Sequence, residues 1–238
     1  MNAELVQRLL DINREFYTRL AQAFSNSRPA ERVYIEPIMP YLADGVKVLD
    51  VGCGNGRTAL RLDAAGYALH YVGVDASPQL LQIAQTAALR QVHADFVLAS
   101  ASAPAWTEPL RVHAPFDVGL ALAVLHHLPS FALRCHVLRE VRVLLRPGGT
   151  LLLSNWQFTR SARLRGKVVP WAALGIDEQY LEAGDALLDW KREGQGYRYV
   201  HLLTKDDVQR LAAESGYHVI DQFDGDGDLN LYSVLRCV

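Results

Sequence analysis

The chain has 238 residues, of which 50% are hydrophobic and 21% charged, values of an ordinary folded domain with a sizeable core. A net charge of -2 and a pI near 6.4 exclude a global pull toward nucleic acid and leave only local basic patches for that role. Cys53, Cys135 and Cys237 match no zinc spacing and form no even disulfide set, which points to a reducing, cytoplasmic setting; the charged N-terminus has no apolar signal core, and no run reaches the ~18 apolar residues of a membrane span.

Residues 3–24 carry Leu5, Leu9, Ile12, Phe16 and Leu20 at helical spacing and predict one or two amphipathic helices. Asn26, Ser27 and Pro29 break that pattern, and another helix is predicted over 33–41. From residue 46 short β-rich runs (46–51, 71–75, 95–99, 116–123, 150–155) alternate with helical stretches (56–65, 78–88, 131–145). Such alternation predicts βαβ units, hence an α/β fold with a mostly parallel sheet and helices on both faces. Arg146-Pro147-Gly148-Gly149 reads as a tight turn before the fifth strand. Residues 157–197 lack a regular period and are rich in Arg, Trp and Gly. A helix over 204–215 and strands over 218–223 and 229–238 follow, the strands joined as an antiparallel hairpin through Asp224-Gly225-Asp226-Gly227-Asp228. That acidic loop lacks the distal glutamate and the ligand spacing of a calcium loop, and no metal site is expected.

The chemistry concentrates in Val48-Leu49-Asp50-Val51-Gly52-Cys53-Gly54-Asn55-Gly56-Arg57, a buried strand running into a glycine turn and a helix. Glycines there allow a sharp turn and close approach of a ligand. A second strand ends about 20 residues on in Asp75, where an acid can accept hydrogen bonds from both ribose hydroxyls of an adenosine. Two cofactors compete for this pattern. The G-x-G-x-G spacing puts Arg57 where a dinucleotide fingerprint needs its third glycine, and Asp50 would repel a pyrophosphate. S-adenosylmethionine (SAM) carries an ammonium and a sulfonium and no phosphate, so the acid favours it over NAD.

These residues, with Gly73-Val74-Asp75-Ala76-Ser77, resemble motifs I and II of the class I SAM-dependent methyltransferases over residues 46–155. The resemblance implies a Rossmann-like seven-stranded sheet whose last strand is antiparallel. It implies that Gly52, Cys53, Gly54 and Gly56 line the methionine part of SAM, that Asp75 and Ala76 hold the ribose, and that Asp50 supports the ammonium end. Many members have an acid after the third strand for the adenine; Ser100 stands there instead. Leu122-Ala123-Val124-Leu125-His126-His127-Leu128 is similar to the motif beside the sulfonium, with the Leu122 or Ala123 backbone in contact. The product would be S-adenosylhomocysteine.

A finer resemblance extends to Phe16-Tyr17, Phe24-Ser25-Asn26-Ser27-Arg28, Ser154-Asn155-Trp156-Gln157 and Arg198-Tyr199-Val200-His201, which look like segments of the tRNA wobble-uridine carboxymethyl methyltransferases. It implies a carboxylate on a modified tRNA uridine as acceptor, and a small partner subunit of the kind the fungal and animal members use, although no feature of the sequence itself indicates one. A carboxylate is ionised at neutral pH and needs alignment more than a general base. Arg28 and Arg198 are candidates to hold it, and Tyr17, Trp156 and Tyr199 to stack on a flat substrate, with packing and surface ion pairs as their plain alternatives. Asn155 and His201 are counted on the substrate side, and either of His126 and His127 is a structural residue or takes a direct part, His127 being the one counted in the site. Arg160, Arg163, Arg165 and Lys167 form a basic cluster suited to phosphates, whereas Arg134, Arg139, Arg142 and Arg146 read as a solvated helix face.

The expectation is a single domain: a helical lid over 1–45, a SAM-binding core over 46–155, a substrate-side insert over 156–203, and a C-terminal helix and hairpin over 204–238. The expected activity is methyl transfer from SAM to an oxygen or nitrogen. A modified tRNA uridine or a small acid, phenol or amine would be the acceptor, with a non-catalytic SAM-binding module as the alternative of another class.

Overall fold

The computed structural model describes residues 1–28, 30, 33–191, 194–227 and 229–238. The central sheet uses β1 (Lys47–Val51), β2 (His70–Asp75), β3 (His93–Leu98), β4 (Phe116–Leu122), β5 (Leu145–Trp156), β9 (Tyr217–Gly225) and β10 (Asn230–Cys237), in the order β3-β2-β1-β4-β5-β10-β9. All neighbouring pairs from β3 to β5 are parallel, and β10 runs antiparallel between β5 and β9. The seven-stranded mixed sheet of the Rossmann-like type is therefore as expected.

Alternation along the strands gives the sheet two apolar faces. Leu49, Val51, Val72, Leu151 and Leu153 pack on one side with Val137, Leu138 and Val141 of α5 (Phe131–Leu144) and Val208 and Leu211 of α7 (Lys205–Ser215). Val48, Tyr71, Val118, Leu120 and Leu152 pack on the other with Ala59 and Leu62 of α3 (Arg57–Ala64) and Leu81 of α4 (Pro78–Gln85). Thr204 and Asp207 form a reciprocal capping box at the start of α7.

Three expectations need correction. Residues 33–41 form no α-helix: Pro37 and Pro40 disfavour helical geometry in the residues before them, and the segment folds as turns ending in a short 3₁₀ turn at Met39–Tyr41 while Val33, Ile35 and Ile38 still reach the core. Arg146–Gly149 lies within β5, where the register steps from Phe116↔Leu145 to Val118↔Thr150 and Gly148 takes φ 70°, so the turn is absorbed as a bulge. The insert is also more regular than its sequence: β6 (Val168–Val169), β7 (Asp185–Trp190) and β8 (Gly196–His201) form an antiparallel three-stranded sheet. Ala186–Trp190 is buried without alternation, which removes the period-2 signal.

The N-terminus folds as α1 (Ala3–Arg19) and α2 (Ala21–Asn26). Leu9 packs with Trp171, Leu187 and Tyr199 of the insert, while Phe16, Leu20 and Phe24 pack with Leu80 and Trp190. The two helices thus join the insert sheet to α4 across the C-terminal ends of the parallel strands, the end where open α/β sheets bind ligands.

Candidate active site

The turn from β1 into α3 carries Gly52, Gly54 and Gly56 at φ of 71°, 57° and 73°, a conformation that favours glycine. Their surroundings differ. A Cβ on Gly52 would meet Val124 Cγ2 at 2.5 Å and one on Gly56 would meet Ala84 Cβ at 2.9 Å, whereas one on Gly54 would find only Leu80 Cδ1 at 4.0 Å. Packing against α4 demands the glycine at 56, and the open side of the turn lies at 54. The Cys53 side chain is buried and lies under Gly73, so only its backbone faces the turn.

Asp75 accepts from the Gly54 and Ser77 amides, both at 2.8 Å, with Ala76 exposed beside it. Burial pushes its pKa up, and the backbone donors oppose the rise. A carboxylate has about four acceptor positions, so Asp75 can tie down the turn and still receive ribose hydroxyls. Asp50 is buried behind the turn, accepts from the Tyr71 hydroxyl and is pushed up to about 7 by burial, against hydrogen bonds from Tyr71 and Thr58. Ser100 is half-buried after β3 and paired with Ser102 at 2.9 Å. Ala123 follows β4 at φ 60°, unusual for a residue with a Cβ, and is held there by its amide on Ser154. Gly52 and Gly54 after β1, Asp75 and Ala76 at the end of β2, and Leu122 and Ala123 at the end of β4 lie at the C-terminal ends of adjacent parallel strands, the place of the ligand crevice in open α/β sheets.

Beside the crevice, Trp156 organises a second region. Arg198, on β8, lies 5.0 Å from the Trp156 ring, 5.0 Å from Phe16 and 5.2 Å from Trp190. Arg28, after α2, lies 5.3 Å from Trp156 and 4.3 Å from Phe24. Arg198 is buried, and its Nε and Nη1 have no hydrogen-bond partner among the described residues. Neither arginine has a carboxylate partner among the described residues, and Arg163 of α6 (Ala162–Arg165) adds its charge to both. Burial lowers both guanidiniums, Arg28 to about 9, and neighbouring positive charge adds to the shift, from Arg57, Arg198 and Arg163 on Arg28 and from Arg163 on Arg198.

The two histidines are neutral here. His127 accepts or donates at both ring nitrogens, to Tyr199 O at 3.0 Å through Nδ1 and to the Tyr17 hydroxyl at 3.1 Å through Nε2. A carbonyl only accepts, so Nδ1 carries the proton and Nε2 receives the Tyr17 O–H. Burial and the two arginines hold His127 down to about 3. His126 is fully buried, stacks on Trp156 at 4.9 Å and takes the Trp156 amide on Nδ1. The Asn155 amide is buried beside His126.

The structure therefore brings Tyr17, Arg28, His127, Asn155, Trp156 and Arg198 together. It does not bring Tyr199 and His201 with them. Tyr199 is buried against Leu9 and Trp171 with its hydroxyl donating to Asp185 at 2.7 Å, so it offers no face for stacking. His201 sits 2.6 Å from the same carboxylate. Glu182, Asp185 and His201 converge within 4.8 Å, but Glu182 is held by Arg134 and by the Phe131 amide, and Asp185 by Tyr199 and the Glu182 amide. Arg134 is the correction to the solvated helix face: at 1% exposure it is buried against Glu182, while Arg139 and Arg146 are exposed and Arg142 is half-buried. In the basic cluster Arg160 pairs with Asp224 at 2.8 Å, Arg165 bonds Thr159 O, Lys167 lies over Trp190, and Arg163 is exposed.

Sequence reasoning missed Asn13. It is buried on α1, donates to His127 O and Tyr199 O, both at 3.1 Å, and accepts from the Tyr199 amide at 2.9 Å. Its only signal was a polar residue on the apolar stripe, four residues before Tyr17.

Comparison with known proteins places these features in a family. A model described as a methyltransferase domain matches residues 49–151. A protein of Encephalitozoon cuniculi named as a methyltransferase is 32% identical over 189 residues, covering 79% of this chain and 77% of that one. The tRNA (carboxymethyluridine(34)-5-O)-methyltransferase of Schizosaccharomyces pombe is 24% identical over 221 residues, covering 87% and 89%. The chain also matches a longer mouse relative, of which it spans 22%. Among solved structures, a SAM-dependent methyltransferase from Methanosarcina mazei superposes with a TM-score of 0.65 at 20% identity, covering 87% of this chain and 98% of that one. Among the described residues no helix is long and apolar enough to cross a membrane. By its sequence relatives the chain belongs to the methyltransferase family, and the superposed structure shows that it has the Rossmann-like fold of a SAM-dependent methyltransferase.

Proposed function

We propose that the chain methylates a carboxylate, with the carboxymethyl group of a tRNA wobble uridine as its acceptor. The observation that carries this reading is the pair of guanidiniums, Arg28 and Arg198, set against Trp156 with no carboxylate of their own among the described residues. A buried cation without a counter-charge is costly, and an anionic acceptor is the group that would relieve the buried Arg198 and the half-buried Arg28. The names of the S. pombe and mouse relatives carry the same acceptor.

In this reading Gly52, Cys53, Gly54 and Gly56 form the turn around the methionine part through their backbone, the Cys53 side chain being turned into the core. Asp75 and Ala76 meet the ribose, Ser100 the adenine, Leu122 and Ala123 the sulfonium region, and Asp50 the ammonium from behind. SAM supplies an electrophilic methyl group; a carboxylate oxygen takes it as the C–S bond breaks, giving a methyl ester and S-adenosylhomocysteine with no proton to move. Arg28 and Arg198 hold the acceptor in line, Trp156 and Tyr17 wall off water, and neutral His126 and His127 act as packing and hydrogen-bonding groups rather than bases. Residues 1–45 and 156–203 cover the strand ends of the 46–155 core, with 204–238 completing the sheet. Exposed Arg163, with Arg160 and Arg165, offers positive charge at the rim for phosphates. Three buried, unpaired cysteines suit a reducing, cytoplasmic setting.

The test is calorimetric titration with SAM and S-adenosylhomocysteine, then methyl transfer to tRNA bearing 5-carboxymethyluridine, to the same tRNA without the carboxymethyl group, and to a panel of small acids, phenols and amines. Ester formation only on the carboxymethyl tRNA supports the reading. Turnover of a small acid alone moves the acceptor to a metabolite, and SAM binding without turnover, also in the presence of a small partner subunit, leaves a binding module.

A further inference from the structure

Asn13 and Tyr17 lie one helical turn apart on the same face of α1, and both act on His127. Asn13 takes the backbone: its Nδ2 donates to His127 O and Tyr199 O, and its Oδ1 accepts from Tyr199 N, so every function of the amide is used. Tyr17 takes the ring, by donating to Nε2. The carbonyl that Asn13 fixes, Tyr199 O, is also the one that accepts the His127 Nδ1–H. Tyr199 follows Arg198 on β8, and Tyr17 and Arg198 pack on the same Phe16 ring, each 5.0 Å from its centre, which sets the Tyr17 hydroxyl beside the guanidinium it stabilises.

We propose that Asn13 is a positioning residue for the acceptor arginine: it fixes the Tyr199 carbonyl and the His127 loop, so that His127 keeps its proton on Nδ1, Tyr17 donates to Nε2, and the phenol oxygen turns its lone pairs toward Arg198. The inference rests on the acceptor reading above for the role of Arg198, while the arrangement itself stands on the hydrogen bonds. An arginine caged by Phe16, Trp156 and Trp190 has no charged group to aim it, and a single oriented hydroxyl supplies the direction. The order of the relay matters. If His127 carried its proton on Nε2, that N–H would point at the Tyr17 oxygen and take the lone pair that Arg198 uses. The groups that face His127 are Tyr17 from α1, Arg28 after α2, Arg198 and the Tyr199 carbonyl from β8, Trp156 from β5 and His126 from its own loop. No acid is among them within the described residues, and burial with the two arginines keeps the ring neutral, so its tautomer is the variable that the relay controls.

Asn13→Ala and Tyr17→Phe test this in the full chain. Both should bind SAM within about twofold of wild type and raise the KM for carboxymethyl tRNA about tenfold or more, with kcat changed less. The double variant should be no worse than the more affected single one, because both act through one relay. Ring ¹⁵N shifts of His127 give a readout that needs no acceptor: wild type and Tyr17→Phe show the Nδ1–H tautomer, and Asn13→Ala shifts toward Nε2–H. If Asn13→Ala does not fold, Asn13→Ser takes its place. An unchanged tautomer in the Asn13 variant, an unchanged KM, or additive effects in the double variant overturns the proposal. A wild-type enzyme that leaves carboxymethyl tRNA unmethylated sinks the acceptor reading instead, and the tautomer measurement still decides whether Asn13 sets His127.

Discussion

Replacing Asp50 by Asn should stabilise the SAM-free protein at alkaline pH and flatten the pH dependence of SAM binding. Asp50 is 2% exposed, and burial lifts its pKa from the ordinary value near 4 to about 7, although Tyr71, Thr58 and Arg57 favour the ionised form. The folded pKa lies above the unfolded one, so the native state binds more protons between about pH 4 and 7, and stability falls across that window. Three decades of proton affinity correspond to ~4 kcal/mol, complete below pH ~4 and lost by the time pH has passed 7. At ~2–4 °C per kcal/mol, the melting temperature of Asp50→Asn relative to wild type should rise by on the order of 10 °C from pH 5 to pH 8. A ligand cation ~8 Å away adds ~2 kcal/mol at an effective dielectric of about 20 and pulls the carboxyl back down. SAM binding to wild type should then release a proton near pH 7 and tighten roughly five- to tenfold between pH 6 and 8. Calorimetry in buffers of different ionisation enthalpy measures both, and Asp50→Asn carries the ligand's own titration as the control. Parallel melting curves and parallel affinities for the two proteins would refute the reasoning, because a carboxyl that stays ionised throughout makes no such difference.

Gly54→Val places a side chain in the open side of the turn at positive φ, and Asp75→Ala frees two amides of the same turn; each should weaken SAM binding at least ~tenfold by calorimetry, with wild-type affinity as the contrary result. Arg28→Ala and Arg198→Met should keep SAM affinity within ~twofold and lower kcat/KM for the carboxylate acceptor ~100-fold, and intact turnover would remove either residue from the site. Arg134→Leu leaves Glu182 without its buried partner and should cost ~3 kcal/mol in chemical unfolding, whereas the Arg134→Leu, Glu182→Leu double variant should recover most of that loss.

The parallel half of the fold was legible because its strands and helices obey the periods that the sheet imposes. Val48-Leu49 and their neighbours alternate between two helix-covered faces, and the glycines at 52, 54 and 56 mark a turn that other residues rarely adopt. The insert was not legible because its strands bury both faces and charged groups as well. Asp185 and His201 look like surface residues until they are brought together with Tyr199, and Arg198 until Phe16, Trp156 and Trp190 close around it. The helix expected over 33–41 failed for a local reason visible in hindsight, two prolines within four residues. Asn13 was hidden for the opposite reason, since a polar residue in a helix gives no hint that it will be buried with all its hydrogen bonds made to other elements.

The cofactor side and the acceptor side differ in how much of them one stretch of chain can carry. Residues 48–57 hold most of the turn and reach their partner, Asp75, through adjacent parallel strands, so local spacing encodes the geometry. The acceptor side takes Arg28 from the end of α2, Trp156 from β5 and Arg198 from β8, three elements with no common period. Their convergence works against stability, because burial lowers the Arg28 and Arg198 guanidiniums and neighbouring positive charge lowers them further. A core selected only for folding would have replaced Arg198 with an apolar residue among Phe16, Trp156 and Trp190. That it holds a cation there, with two nitrogens unpartnered among the described residues, is the physical reason to place the anionic end of the acceptor at this point rather than along the exposed basic cluster.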